Sequence, residues 1–157
     1  MDIDDISATL EIMKRFARYG QIFDHKELDN VDELLDLFTD NCTLDYDFAG
    51  QYDNKAEFRE FAESYIGGES SNTDWFHQFT NPWIDVDGNE ARGRWNFVGY
   101  YVFEDVGATW MVGFYDIYFV EVAPDDWRID DLTLEFKYAS PISDGWAETP
   151  IADAVRY

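Results

Sequence analysis

From Trp75 onward the hydrophobic pattern of this chain changes from helical to strand-like, and it does not change back. The stretch PWIDVDGNEARGRWNFVGYYVF holds two strand-like runs with a turn signal at Asp87-Gly88 between them. ATWMVGFYDIYFVEV is a long strand candidate, and APDD turns the chain into WRIDDLTLEFKY. Before Trp75 the periods are helical. DDISATLEIMKRFARYGQIFD places Ile6, Leu10, Met13, Ala17 and Phe23 on one stripe behind Asp4 or Asp5. NVDELLDLF reads as a short helix capped by Asn30, and DNKAEFREFAESYIGG as another with Phe58, Phe61, Ala62 and Tyr65 inward. Between them CTLDYDFAG alternates, with Leu44, Tyr46 and Phe48 on one side and Asp45 and Asp47 on the other. Helices first and a meander of long strands afterwards predict an α+β fold. The expected form is a strongly curved antiparallel sheet, a cone-shaped α+β barrel, with the N-terminal helices over its concave face and a pocket between. The length of 157 residues suits one domain, expected at 1–140, with 141–157 as an irregular tail packing on the domain or on a neighbouring subunit.

Aromatic residues make up 18% of the chain, enough to fill a core and to line an apolar pocket. The formal charge is −23, with 34 acidic against 11 basic residues, which disfavours nucleic acids and anionic membranes as partners. The acid is dispersed over a foldable sequence, as on the salt-adapted surfaces of halophilic proteins, where salt screens self-repulsion. Cys42 is the only cysteine, so no intrachain disulfide forms. The early acids Asp2, Asp4 and Asp5 do not suit a signal peptide, and no apolar run is long enough to span a membrane; a cytoplasmic protein is expected. Two histidines and one cysteine, none at ligand spacing, predict no zinc site. Calcium-loop, phosphate-loop and serine-elbow patterns are absent, so no metal or cofactor is expected.

One of the two histidines sits in WFHQFTNPW, the most aromatic neighbourhood of the chain. On these residues alone His77 reads either as a packed core histidine or as a base kept neutral by apolar walls. A resemblance favours the second reading. RYGQIFDHKELDNVDELLDLFTDNCTLDY, FHQFTNPWIDVDGNEARGRW and GFYDIYFVEVAPDDWRIDDLTLEF, in this order, resemble the SnoaL-like branch of the nuclear transport factor 2-like superfamily, from Ile6 to Pro141. Within it the chain looks most similar to the scytalone dehydratase, bile acid dehydratase and hexachlorocyclohexane dehydrochlorinase group.

That resemblance implies a cofactor-free lyase of dehydratase type, with an Asp–His pair in an apolar cone and tyrosine as proton donor or carbonyl polariser. It places the carboxylate at Asp24, the base at His77 and the pocket tyrosines at Tyr46 and Tyr19, with Asp116 near a polar pocket position. Trp95, Phe97, Trp110, Phe114, Asp116 and Phe136 are the expected substrate-binding wall. Arg94 is the alternative, structural partner of Asp116, and His25 is expected to be exposed. A second pocket histidine of scytalone dehydratase has no counterpart in WNFVGYYVF, and an expected serine is Phe114. The ligand implied is an apolar cyclic or polyketide-like small molecule. Isomerase or cyclase chemistry uses the same base, and a non-catalytic binding or assembly domain is the reading from another class. An outer sheet face with Met111, Tyr115, Ile117 and Phe119 is expected to be covered in a homo-oligomer, a trimer before a dimer.

Overall fold

The computed structural model describes residues 3–67 and 72–143. Helix α1 (Ile3–Asp24) carries two apolar stripes, and the one with the rings turns inward. Ala8, Ile12, Phe16, Tyr19, Ile22 and Phe23 are buried; of the expected stripe Phe23 is thus inside, whereas Ile6, Leu10, Met13 and Ala17 remain exposed. The physical reason is area: a buried ring removes roughly 150–250 Å² from water. Phe16 meets the rings of Trp95 and Phe79 at centroid distances of 4.4 and 4.5 Å.

A 3-10 turn at Leu28–Asn30 leads into α2 (Val31–Asp36). Asn30 does not cap α2 with its side chain; its amide donates instead to Glu27 at 2.6 Å. Helix α3 (Lys55–Ile66) is capped by Asn54, whose side chain accepts the N–H groups of Ala56 and Glu57. It buries Phe58, Ala62 and Ile66, while Phe61 and Tyr65 face a cavity.

The strands are β1 (Phe38–Asp45), β2 (Gln51–Tyr52), β3 (Asn72–Asp87), β4 (Glu90–Phe103), β5 (Gly107–Ala123) and β6 (Asp126–Pro141). They form one curved, unclosed sheet in the order β2-β1-β6-β5-β4-β3. From β3 to β6 it is the expected antiparallel meander. Strand β1 instead joins β6 in parallel, with Leu44 opposite Leu132, so the sheet is mixed. Most of the expected tail, 144–157 with Gly145 and Pro150, lies outside the described residues; Pro141 itself closes β6.

The alternation along β5 has the phase opposite to the one expected. Met111, Tyr115, Ile117 and Phe119 are buried under the helices, so the face expected to meet a second subunit is the interior. Trp110, Phe114 and Asp116 alternate with them onto the convex side. Alternation along one strand defines two faces but not which is inward, and a shift of one position exchanges them all. The neighbouring strand resolves the phase: Arg92 and Arg94 lie opposite Tyr118 and Asp116, and these side chains face water together. No helix among the described residues is long and apolar enough to cross a membrane.

Candidate active site

The site begins where α1 stops. The chain turns out of the helix with Lys26 in the left-handed region (φ 53°), and the N–H groups of Lys26 and Glu27 return to the carbonyls of Phe23 and Ile22. The Phe23 carbonyl also accepts the indole N–H of Trp75 at 2.9 Å, which ties β3 to the helix end. Two residues along β3, on the same face, is His77.

Asp24 is the last residue of α1, and its carboxylate accepts twice from His77. The backbone N–H lies 3.1 and 3.2 Å from its two oxygens, and ring Nδ1 lies 2.5 Å from Oδ1. Both side chains are largely buried, with 10% of His77 and 13% of Asp24 exposed. An ionised carboxylate only accepts, so Nδ1 carries the hydrogen and Nε2 presents its lone pair. The Tyr101 hydroxyl stands 3.0 Å from Nε2. In the neutral ring that hydroxyl donates to Nε2; in the imidazolium the direction reverses. A positive ring formed here already has its counter-charge in Asp24 and in the carbonyl end of α1.

His77 and Tyr101 open onto a cavity of about 760 Å³ between the sheet and α3. That volume suits a ligand of several fused or linked rings. In its wall the hydroxyls of Tyr19 and Tyr46 are 2.8 Å apart, and the Tyr115 ring stands edge-on to Tyr19, 6.3 Å between centroids. Burial pushes all three phenols well above the ordinary tyrosine range, so they remain protonated donors. Rings of Phe61, Tyr65 and Phe136 supply apolar wall. Gln51, Glu57, Glu60 and Ser64 also line the cavity.

Of the residues singled out in the sequence, Asp24 and His77 meet, and Tyr19, Tyr46 and Phe136 line the same cavity. Phe97 is fully buried behind the wall, its ring 5.8 Å from that of His77. Trp95 belongs to the core under α1, against Phe16 and Phe119. Trp110, Phe114 and Asp116 are on the convex face, for the reason of strand phase already described. Asp116 pairs there with Arg92 at 2.5 Å and Arg94 at 3.1 Å, and the Arg92 hydrogen bonds hold its carboxyl below the usual range. His25 is exposed. Sequence reading missed Tyr101 and Tyr115. The available signal was in β4, where Arg92 and Arg94 mark the outer positions and leave Trp95, Phe97, Gly99 and Tyr101 inside.

No curated protein matches the sequence significantly. Solved structures share the fold. A candidate scytalone dehydratase from Novosphingobium aromaticivorans superposes with a TM-score of 0.77 at 19% identity, covering 97% of this chain and 98% of its own. A hexachlorocyclohexane dehydrochlorinase, LinA-type3, from Novosphingobium barchaimii gives 0.79 at 13% identity, covering 91% and 95%. A protein of unknown function with a cystatin-like fold from Nostoc punctiforme gives 0.65 at 21%, covering 82% and 90%. At these identities the likeness concerns the fold. The model of the SnoaL-like domain matches residues 4–133, most of the chain, and the protein belongs to the SnoaL-like family.

Proposed function

We propose that the protein is a cofactor-independent lyase of dehydratase type, acting on an apolar cyclic or polyketide-like small molecule. The observation that carries this reading is the 2.5 Å contact of Asp24 with His77 Nδ1, with Nε2 turned toward an aromatic cavity. Nε2 takes a proton from a carbon beside a carbonyl group. Phenols of the Tyr19–Tyr46 cluster donate hydrogen bonds to the carbonyl oxygen as negative charge builds there. Tyr101 gives its hydroxyl hydrogen to the departing β-hydroxyl group, and the imidazolium returns a proton to the Tyr101 oxygen. Substrate loses one hydrogen and one hydroxyl as water, and the enzyme ends as it began. The candidate scytalone dehydratase and the dehydrochlorinase among the structural neighbours support elimination as the reaction class.

The test uses a panel of cyclic β-hydroxy ketones, following the absorbance of the conjugated enone. His77→Ala and Asp24→Asn should each lower turnover by roughly 10²–10⁴-fold without loss of fold. Full activity in either variant overturns the assignment of the base. Appearance of an isomer of the substrate carrying solvent deuterium at carbon, without enone, reassigns the chemistry to isomerisation.

A further inference from the structure

We infer that the cavity selects uncharged ring ligands and rejects anions such as carboxylates, sulfonates and phosphate esters. The inference rests on the proposed site, but concerns which ligand charge the site tolerates.

Among the described residues no lysine or arginine lines the cavity. The cations of α3, and those where α1 ends, are committed elsewhere. On α3, Lys55 pairs with Asp40 at 3.1 Å, and Arg59 with Asp32 and Glu63 at 2.5 and 3.2 Å. On α1, Arg18 is shared between Glu27 and Glu33 at 2.7 and 2.6 Å. Lys26 lies over the Trp75 ring and 3.4 Å from Asp74. What faces the cavity instead is acidic. Glu57 and Glu60 stand in its wall as exposed residues, and Asp24 lies behind His77. The buried phenols stay protonated, so they offer hydrogen bonds and no charge.

An anion entering here leaves water without a counter-ion and approaches carboxylates of a chain with net charge −23. A cation meets a different conflict. The proposed reaction makes His77 positive, and a like charge beside it opposes that step. An uncharged ring bearing a carbonyl or hydroxyl group meets neither cost, and it can use the phenols as donors and acceptors.

The experiment compares two probes of one shape, 2-naphthol and 2-naphthoate, by calorimetric titration near neutral pH at low and high salt. Naphthol is expected to bind, and naphthoate to bind roughly tenfold or more weakly at low salt. High salt and the double variant Glu57→Gln/Glu60→Gln should each narrow that ratio, the variant because it removes two charges from the wall. Naphthoate binding as tightly as naphthol overturns the inference, as does failure of naphthol to bind at all. A ratio unchanged in the double variant removes Glu57 and Glu60 from the explanation and overturns their part in it. Because the readout is affinity, it stands apart from the His77 test: inactive-enzyme results leave the binding order in place, and a reversed order leaves the base assignment in place.

Discussion

At Gly99 the missing side chain is part of the site. Gly99 lies opposite His77 in the β3–β4 register, and a Cβ there would fall 2.4 Å from the Tyr101 ring and 2.7 Å from Phe97. The Tyr101 ring therefore leans over Gly99 to reach Nε2. Gly99→Ala should displace Tyr101 and slow turnover by about tenfold or more, since small misplacements of reacting groups are costly. The check also has a direct readout. The chain has two histidines, and His25 is exposed, so imidazole nitrogen resonances report the His77 environment separately. In Gly99→Ala the Nε2 resonance should move while Nδ1, held by Asp24, stays. An unmoved Nε2 signal would show that Tyr101 has room to spare. Asp24 and His77 were legible in the sequence because histidines are scarce and the surrounding segments resemble a known family. Tyr101 was hidden among adjacent rings in GYYVF, where only its phase along the strand separates it from Tyr100, which faces out.

Among the elements, α1 shows why helical period alone misleads. Ile6, Leu10 and Met13 have the right spacing, yet Ala8, Ile12 and Phe16 are inside. Phe16→Ala should cost about 3–5 kcal/mol, because it empties the meeting point of Phe79, Trp95 and Tyr115. Leu10→Ser should stay within about 0.5 kcal/mol. Urea midpoints of the two variants decide between the stripes, and comparable losses would restore the stripe read from the sequence. The strands of the meander and the turn at Asp87-Gly88 were legible, since turn chemistry and alternation agree there. The parallel pairing of β1 with β6 was not. It joins segments some ninety positions apart, and nothing local to either strand specifies its partner.

For the whole molecule, charge sets stability from two directions. At neutral pH the −23 charge repels itself, so added salt should raise the melting temperature. Near the sequence pI of about 4.1 the net charge vanishes, and the salt effect should shrink. A second loss overlaps this range, beginning at about pH 5. Arg128, together with Arg15, holds the Asp126 carboxyl below its ordinary range, and Arg18 does the same for Glu33. The unfolded chain then binds protons before the folded one. The stability these pairs give is complete only above about pH 5 and is lost as pH falls through the unfolded and then the folded values. Melting curves across pH and salt test both effects; a salt response as large at the pI as at neutral pH would remove self-repulsion as the cause.

The β1–β6 pairing also orders events during synthesis. Strand β1 has left the ribosome long before β6 exists, and its partners in the sheet are β6 and the two-residue β2. Until β6 emerges, Phe38 and Leu44 have no sheet to close over them. The nascent chain must carry an unfinished apolar surface through most of translation, when aggregation competes with folding. The formal charge of −23 opposes contact between neighbouring nascent copies during that interval.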